Sequence, residues 1–239
     1  YNYQKKTMLK SIYTNGGFYI GKYETGIENS YRDYGDDWTT EHPITETAVV
    51  KANAYPYNWV RRAQAQEIAS GMQSGDKTSS LMFGVQWDLV MKYLETSRAV
   101  IETDLTANST EWGNYANNEY TILNENAEYA SLYYDTDLEA TLVNDYESTI
   151  PYNKAVDEAS LLTTGADDSF RKMGIYDLAG NVAEFTLEFM PYGPDCVLRG
   201  GDCANNGDNQ DGSGGVAAGR SFSFGSNAYP WFGFRISIF

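Results

Sequence analysis

The sequence predicts a chain that mixes helices with short strands. Two stretches, 58–72 and 84–95, repeat their apolar residues at helical spacing. Two others, near residue 20 and at the C-terminus, alternate large apolar residues with smaller or polar ones. Between them lie long segments dominated by Asn, Asp, Thr and Tyr, the composition of loops and short strands.

Taken in order, Gly16 to Glu24 reads Gly-Gly-Phe-Tyr-Ile-Gly-Lys-Tyr-Glu. Phe18 and Ile20 fall on one side, aromatics on the other, and glycines flank them, so a strand partly covered on both faces is expected. Thr25 to Lys51 is polar and is expected as loop. From Asn58 to Met72, apolar residues at 59, 60, 63, 68, 69 and 72 approximate a helical stripe, with Asn58 expected to cap its start and Gly71 near its end. From Gly84 to Glu95, Trp87, Val90, Met91 and Leu94 fall at i, i+3, i+4 and i+7, one buried face. Residues 103–160 are expected as short strands and long loops, held by ions or tight packing if not functional. At the C-terminus Phe234, Ile236 and Ile238 alternate, which predicts a strand over 233–239. No internal repeat is visible.

A chain of 239 residues accommodates one large domain or two small ones and can bury a core without disulfide staples. The formal charge of −16 repels phosphate backbones, which argues against nucleic acid and anionic membranes as partners. With 20 Tyr, 10 Phe and 5 Trp the chain is too apolar to be disordered. No apolar run reaches the length of about 18 residues that a membrane span needs, so no membrane insertion is expected. The chain opens Tyr-Asn-Tyr-Gln-Lys-Lys, without an initiator Met or a signal core, and is expected to be cut or processed from a longer protein. Cys196 and Cys203 make no disulfide framework, and two unremarkable thiols are the simpler expectation, with a single bridge as the alternative. His42 is the one histidine, so no His-rich iron, zinc or copper site can be assembled.

Three blocks together are specific: Gly-Phe-Tyr-Ile-Gly-Lys-Tyr-Glu (17–24), Gly-Ile-Tyr-Asp-Leu-Ala-Gly-Asn-Val-Ala-Glu-Phe (174–185), and Arg-Gly-Gly (199–201) with Gly-Phe-Arg (233–235). In this order they resemble the formylglycine-generating enzyme, or sulfatase-modifying-factor, family. The Trp87 helix stands where that family has its Glu-Trp-Glu helix. The resemblance implies one α+β domain over 1–239 with a variant C-type lectin fold: two helices, small twisted antiparallel sheets, much irregular loop, and paired N- and C-terminal strands.

The family's oxidase activity needs two copper-binding cysteines. The positions that correspond to them are Asn205 and Gln210, and Cys203 lies two residues too early. Soft Cu(I) prefers sulfur to amides, so no copper is expected. The related iron-dependent sulfoxide synthases need a histidine cluster that His42 alone does not supply, so no iron is expected either. The scaffold is retained in the sequence and the family's chemistry is not. No nucleophile–base set is visible, and the expectation is that there are no catalytic residues.

The segment 202–233 has 32 residues, 22 of them Gly, Asn, Asp, Ser or Ala, and no Lys, Glu, Leu, Ile or Met. Such a composition cannot build a core by itself and must lie on a scaffold as surface loops and short strands. It resembles the variable region of diversity-generating retroelement proteins, in which mutation at adenines turns Asn codons into a restricted set of residues. Gln210 and Trp231 fall outside that set and are expected as fixed positions. The expected ligand-binding residues are Asn205, Asn206, Asp208, Asn209, Asp211, Ser213, Phe222, Phe224, Asn227, Tyr229 and Trp231. Amides and hydroxyls there offer adaptable hydrogen bonds and aromatics offer rigid contact area.

The resemblance also implies a structural calcium held by the Asp177 and Glu184 side chains and the Gly180 and Val182 carbonyls, an all-oxygen set of the kind Ca²⁺ takes. Without an ion, Asp177 would cap a turn. Arg199 is expected to be structural, pairing with carbonyls or a carboxylate. The leading expectation is a non-catalytic receptor- or surface-recognition protein on a phage tail or bacterial cell surface, outside the cell, with a protein or glycan as ligand. The alternatives are a copper oxidase and a structural domain of a tail or surface protein.

Overall fold

The computed structural model describes residues 2–35, 37–73, 75–135, 140–143, 145–190, 196–209 and 215–239. The chain is α+β. Among the described residues it has four α-helices, α1 (Asn2–Asn15), α2 (Arg62–Gly71), α3 (Gly84–Thr96) and α4 (Glu102–Thr106), beside several small sheets. The expected two helices are therefore corrected to four. In α1 Met8 is the one buried residue, so no apolar stripe marks it in the sequence. α4 has only five residues, too short for a period to show.

α3 matches its expectation. Trp87, Val90, Met91 and Leu94 are buried and pack with Leu178, Ala179 and Ala217 in one apolar cluster. The Trp87 Nε1 donates to the Ala217 carbonyl at 2.9 Å, which ties the helix to the late glycine-rich segment. α2 begins later than expected, because Trp59 takes a left-handed φ of 51° that a helix cannot use. Asn58 is not its cap. The Asn58 amide donates to the Pro230 carbonyl at 2.7 Å, and Gln64 accepts the Arg61 N–H at 3.0 Å instead.

The two ends of the chain pair as the resemblance implies. Tyr19–Ile20 runs antiparallel to Ile236–Ile238, with Tyr19 opposite Ile238, and Ser79–Leu81 lies on the other side. The C-terminal stretch is not one strand. Phe232–Phe234 belongs to a four-stranded sheet and Ile236–Ile238 to the terminal sheet, with Arg235 at the break. In the four-stranded sheet Ser221–Ser223, Cys196–Arg199, Ala183–Phe185 and Phe232–Phe234 follow in that order. Its last pair is parallel, which departs from all-antiparallel sheets. Parallel neighbours need a long crossover, and the excursion between residues 186 and 231 supplies it.

The stretch 25–51 is not all loop, since Gly26–Ile27 pairs with both Ala48–Val49 and Tyr55–Pro56. Residues 103–160 do form short strands joined by loops. Tyr120–Ile122 pairs with Tyr152–Lys154, and Tyr129–Asp135 lies between Ala140–Val143 and Ala159–Leu162. Ile122, Tyr129, Leu162 and Phe170 give that region its own apolar cluster. The main core gathers Tyr57, Leu81, Phe83, Phe185, Leu198 and Phe234 from both ends of the chain. Cys196 and Cys203 are both buried and are not joined in a disulfide.

Candidate functional site

The first half of the 202–233 segment is anchored by its backbone and shows its side chains. Asn205 O accepts from Ala116 N at 2.9 Å, Gly207 O from Ser109 N at 2.6 Å, and Asn209 N donates to Ala107 O at 3.1 Å. The loop lies against the buried Tyr115, whose hydroxyl donates to the Gly200 carbonyl at 2.7 Å. At Gly207 a Cβ would come within 2.5 Å of the Tyr115 ring, so the close approach requires glycine. Asn205, Asn206 and Asn209 are exposed. Asp208 is half-buried, and Asn117 Nδ2 donates to its carboxylate at 3.2 Å. Asp211, Ser213 and Gln210 lie outside the described residues.

In the second half, Ser221–Ser223 is the edge of the four-stranded sheet. Burial alternates along it: Ser221 and Ser223 are half-buried, while Phe222 and Phe224 are each 58% exposed. Asn227 N donates to Phe224 O at 3.0 Å and closes the turn, with the half-buried Asn227 amide 3.4 Å from Ser223 Oγ. Tyr229 and Trp231 are half-buried in a stack of three rings. Trp38 lies on Tyr229 and Tyr229 on Trp231, with 5.1 Å between ring centroids at each step. Ala228 N donates to Trp38 O at 2.9 Å. Sequence reasoning missed Trp38, whose only signal is a tryptophan inside an otherwise polar stretch. Phe232 is buried and belongs to the core.

Behind this edge is an ion network. The buried Arg199 guanidinium pairs with Asp88 on α3 and with Glu188, and the half-exposed Arg220 pairs with the same two carboxylates. Arg199 thus has a structural partner set. Asp88, Glu188 and Arg220 gave no signal in the sequence.

Two of the residues expected to hold calcium, Asp177 and Glu184, lie near each other at a second, deeper place; Gly180 and Val182 are buried close by in the chain. Asp177 and Gly180 both take left-handed φ values, 56° and 72°, so the backbone turns sharply around this point. Asp177 Oδ2 accepts from Gly165 N at 2.7 Å, and Glu184 Oε1 accepts from Arg235 Nη2 at 2.8 Å. Glu24, at the end of the first family-like block, joins them. It accepts from Asn181 Nδ2 at 2.6 Å and from Val182 N at 3.2 Å. Burial pushes all three carboxyls above their usual range, and for Glu24 the neighbouring Asp177 and Glu184 add to it. Arg235 opposes the rise. Glu24 was missed because its partners stand more than 150 residues away in the chain.

Cys203 is buried, and burial pushes its thiol well above the ordinary value. Asn205, which the resemblance sets against a copper-binding cysteine, donates its amide to Asp202 at 2.8 Å. Among the described residues no group of three or more His, Cys, Asp or Glu is arranged to hold a metal ion, and no helix is long and apolar enough to cross a membrane. No protein-family model matches the chain, and no curated protein matches it.

Proposed function

We propose that this chain is a non-catalytic ligand-binding protein with a C-type lectin fold, and that its 202–233 segment is the binding face. The observation that carries the reading is the alternation along the edge strand: Phe222 and Phe224 stand out to solvent from a backbone held by Cys196–Arg199. Exposed aromatics among small polar residues are the usual anchors of a recognition surface. Asn205, Asn206 and Asn209 extend that face, and Trp38 joins it through the stack on Tyr229. Its rigid support and restricted composition suit a segment diversified by a retroelement, working on a phage tail or bacterial surface against a protein or glycan.

The test has two arms. The locus is sequenced from many isolates; differences concentrated in codons 202–233 are expected, and a segment as constant as its surroundings overturns the diversification. A panel of glycans and surface proteins is then screened with the wild-type chain and with F222A/F224A. Capture that the double variant loses, at unchanged melting temperature, supports the face. Capture that it keeps refutes it.

The same reading includes a structural calcium at the Asp177 and Glu184 carboxylates and the Gly180 and Val182 carbonyls. The donors are all oxygen, as a hard cation requires. A bound cation would draw Glu24, Asp177 and Glu184 to their charged forms against the burial that now raises them, and Glu184 would serve Arg235 and the ion together. A melting temperature that rises with Ca²⁺ and falls with a chelator is expected; equal values with either remove the ion from the account.

A further inference from the structure

We propose that a cavity of about 100 Å³ at the root of the binding face takes a primary ammonium on an alkyl stem, as a lysine side chain of a protein partner carries, with Asp202 as its counter-charge. The inference rests on the proposed binding face for its use, but the cavity can be tested without any partner. Ala183, Leu198, Asp202, Asn205, Ser221 and Phe232 are among the residues that line it. Of these, Asn205 is exposed and Ser221 half-buried, while the others are buried.

Asp202 is 6% exposed and has no cationic partner among the described residues. It accepts from Ala204 N at 3.0 Å and from Asn205 Nδ2 at 2.8 Å. Neutral N–H groups satisfy its hydrogen-bonding need without neutralising its charge. Buried carboxylates are ordinarily paired with a cation. Here the lining leaves room for one to be delivered from outside.

The shape of the lining selects the cation. Leu198, Ala183 and Phe232 form an apolar wall suited to methylenes, and Asn205 and Ser221 bring an amide and a hydroxyl to the same lining. A primary ammonium is a compact charge with three donors on a flexible stem, which matches one carboxylate flanked by neutral acceptors. A guanidinium needs a free bidentate edge, and Asn205 Nδ2 already lies 2.8 and 3.0 Å from the two Asp202 oxygens. A divalent cation needs six or so oxygens, more than this wall carries.

The probe is n-butylammonium, with butan-1-ol as the uncharged control, titrated into the wild-type chain and followed by amide chemical shifts at Leu198, Asn205 and Ser221. Saturable shifts with the amine and not the alcohol are expected, weakened about tenfold or more in Asp202→Asn. That variant keeps an oxygen to accept from Ala204. Wild-type binding should also weaken below about pH 6, as the carboxyl takes a proton. Cys203 and Tyr115, the titratable groups beside Asp202, stay protonated throughout because burial raises both. Equal response to amine and alcohol, or undiminished amine binding in Asp202→Asn or at low pH, overturns the proposal. The two readings separate in these results. Amine binding with unaltered ligand capture in F222A/F224A leaves the cavity standing without the face, and the reverse leaves the face without the cavity.

Discussion

Arg235 and Glu184 are locked together in the interior: Arg235 Nε and Nη2 lie 3.0 and 2.8 Å from Glu184 Oε1, and the two side chains are 0% and 2% exposed. Arg235 also donates to the carbonyls of Gly21 and Tyr176, at 2.9 and 2.8 Å. One guanidinium therefore joins the first strand, the 174–185 block and the C-terminus.

Breaking that pair should be severe. Arg235→Leu leaves Glu184 as an uncompensated buried charge and several carbonyls without donors, a loss of about 3–5 kcal/mol. Denaturant unfolding of Arg235→Leu, Glu184→Leu and the double variant should show the double falling well short of the sum. Additive losses would mean that the two residues do not act as a unit.

Arg199 and Arg220 share the same carboxylates but should differ in weight. Arg199 is fully buried and Arg220 is 46% exposed. Arg199→Ala should lower stability by about 2–4 kcal/mol, because it empties a fully buried position packed on Trp87, although Asp88 and Glu188 keep Arg220. Arg220→Ala should lower it by about 1 kcal/mol at most, since exposed pairs are screened by solvent. Thermal unfolding of the two variants checks the order.

Asp202 should leave a signature in the pH dependence of stability. Burial raises its carboxyl to about 6 from 3.8, so the folded chain holds that proton more tightly than the unfolded one. Its contribution is fully present below about pH 4 and is lost as pH rises through about 6. Asp202→Asn removes the titration, so the variant should be the more stable protein near pH 8, by on the order of 2 kcal/mol, with the gap closing toward pH 4. A gap independent of pH would contradict this.

The aromatics of the last segment should divide in a stability assay. Phe222→Ala and Phe224→Ala remove exposed rings and should change unfolding free energy by about 0.5 kcal/mol or less. Phe234→Ala empties a core position and should cost about 3–5 kcal/mol. A large loss at Phe222 or Phe224 would place those rings in the core and weaken the proposed face.

The sequence by itself determined the elements whose signal is local. The 3.6-residue spacing of Trp87, Val90, Met91 and Leu94 fixed the buried face of α3. The small polar composition of 202–233 agrees with Asn205, Asn206 and Asn209 in solvent, but it did not mark Cys203, Ala217 and Ala228, which are buried. Tertiary structure decided whatever depends on distant partners. Asn58 is a sound cap by local rules, yet its amide serves Pro230, 172 residues on. Phe222, Phe224 and Phe232 read alike in the sequence, but Phe222 and Phe224 stand out at one edge of the sheet, while Phe232, on the opposite edge strand, is buried against Phe185 and Tyr229. Arg235 looked like one residue of a continuous strand. It divides that strand between two sheets, since its guanidinium has to reach Glu184, Tyr176 and Gly21 at once, and no periodicity along the chain encodes where those groups meet.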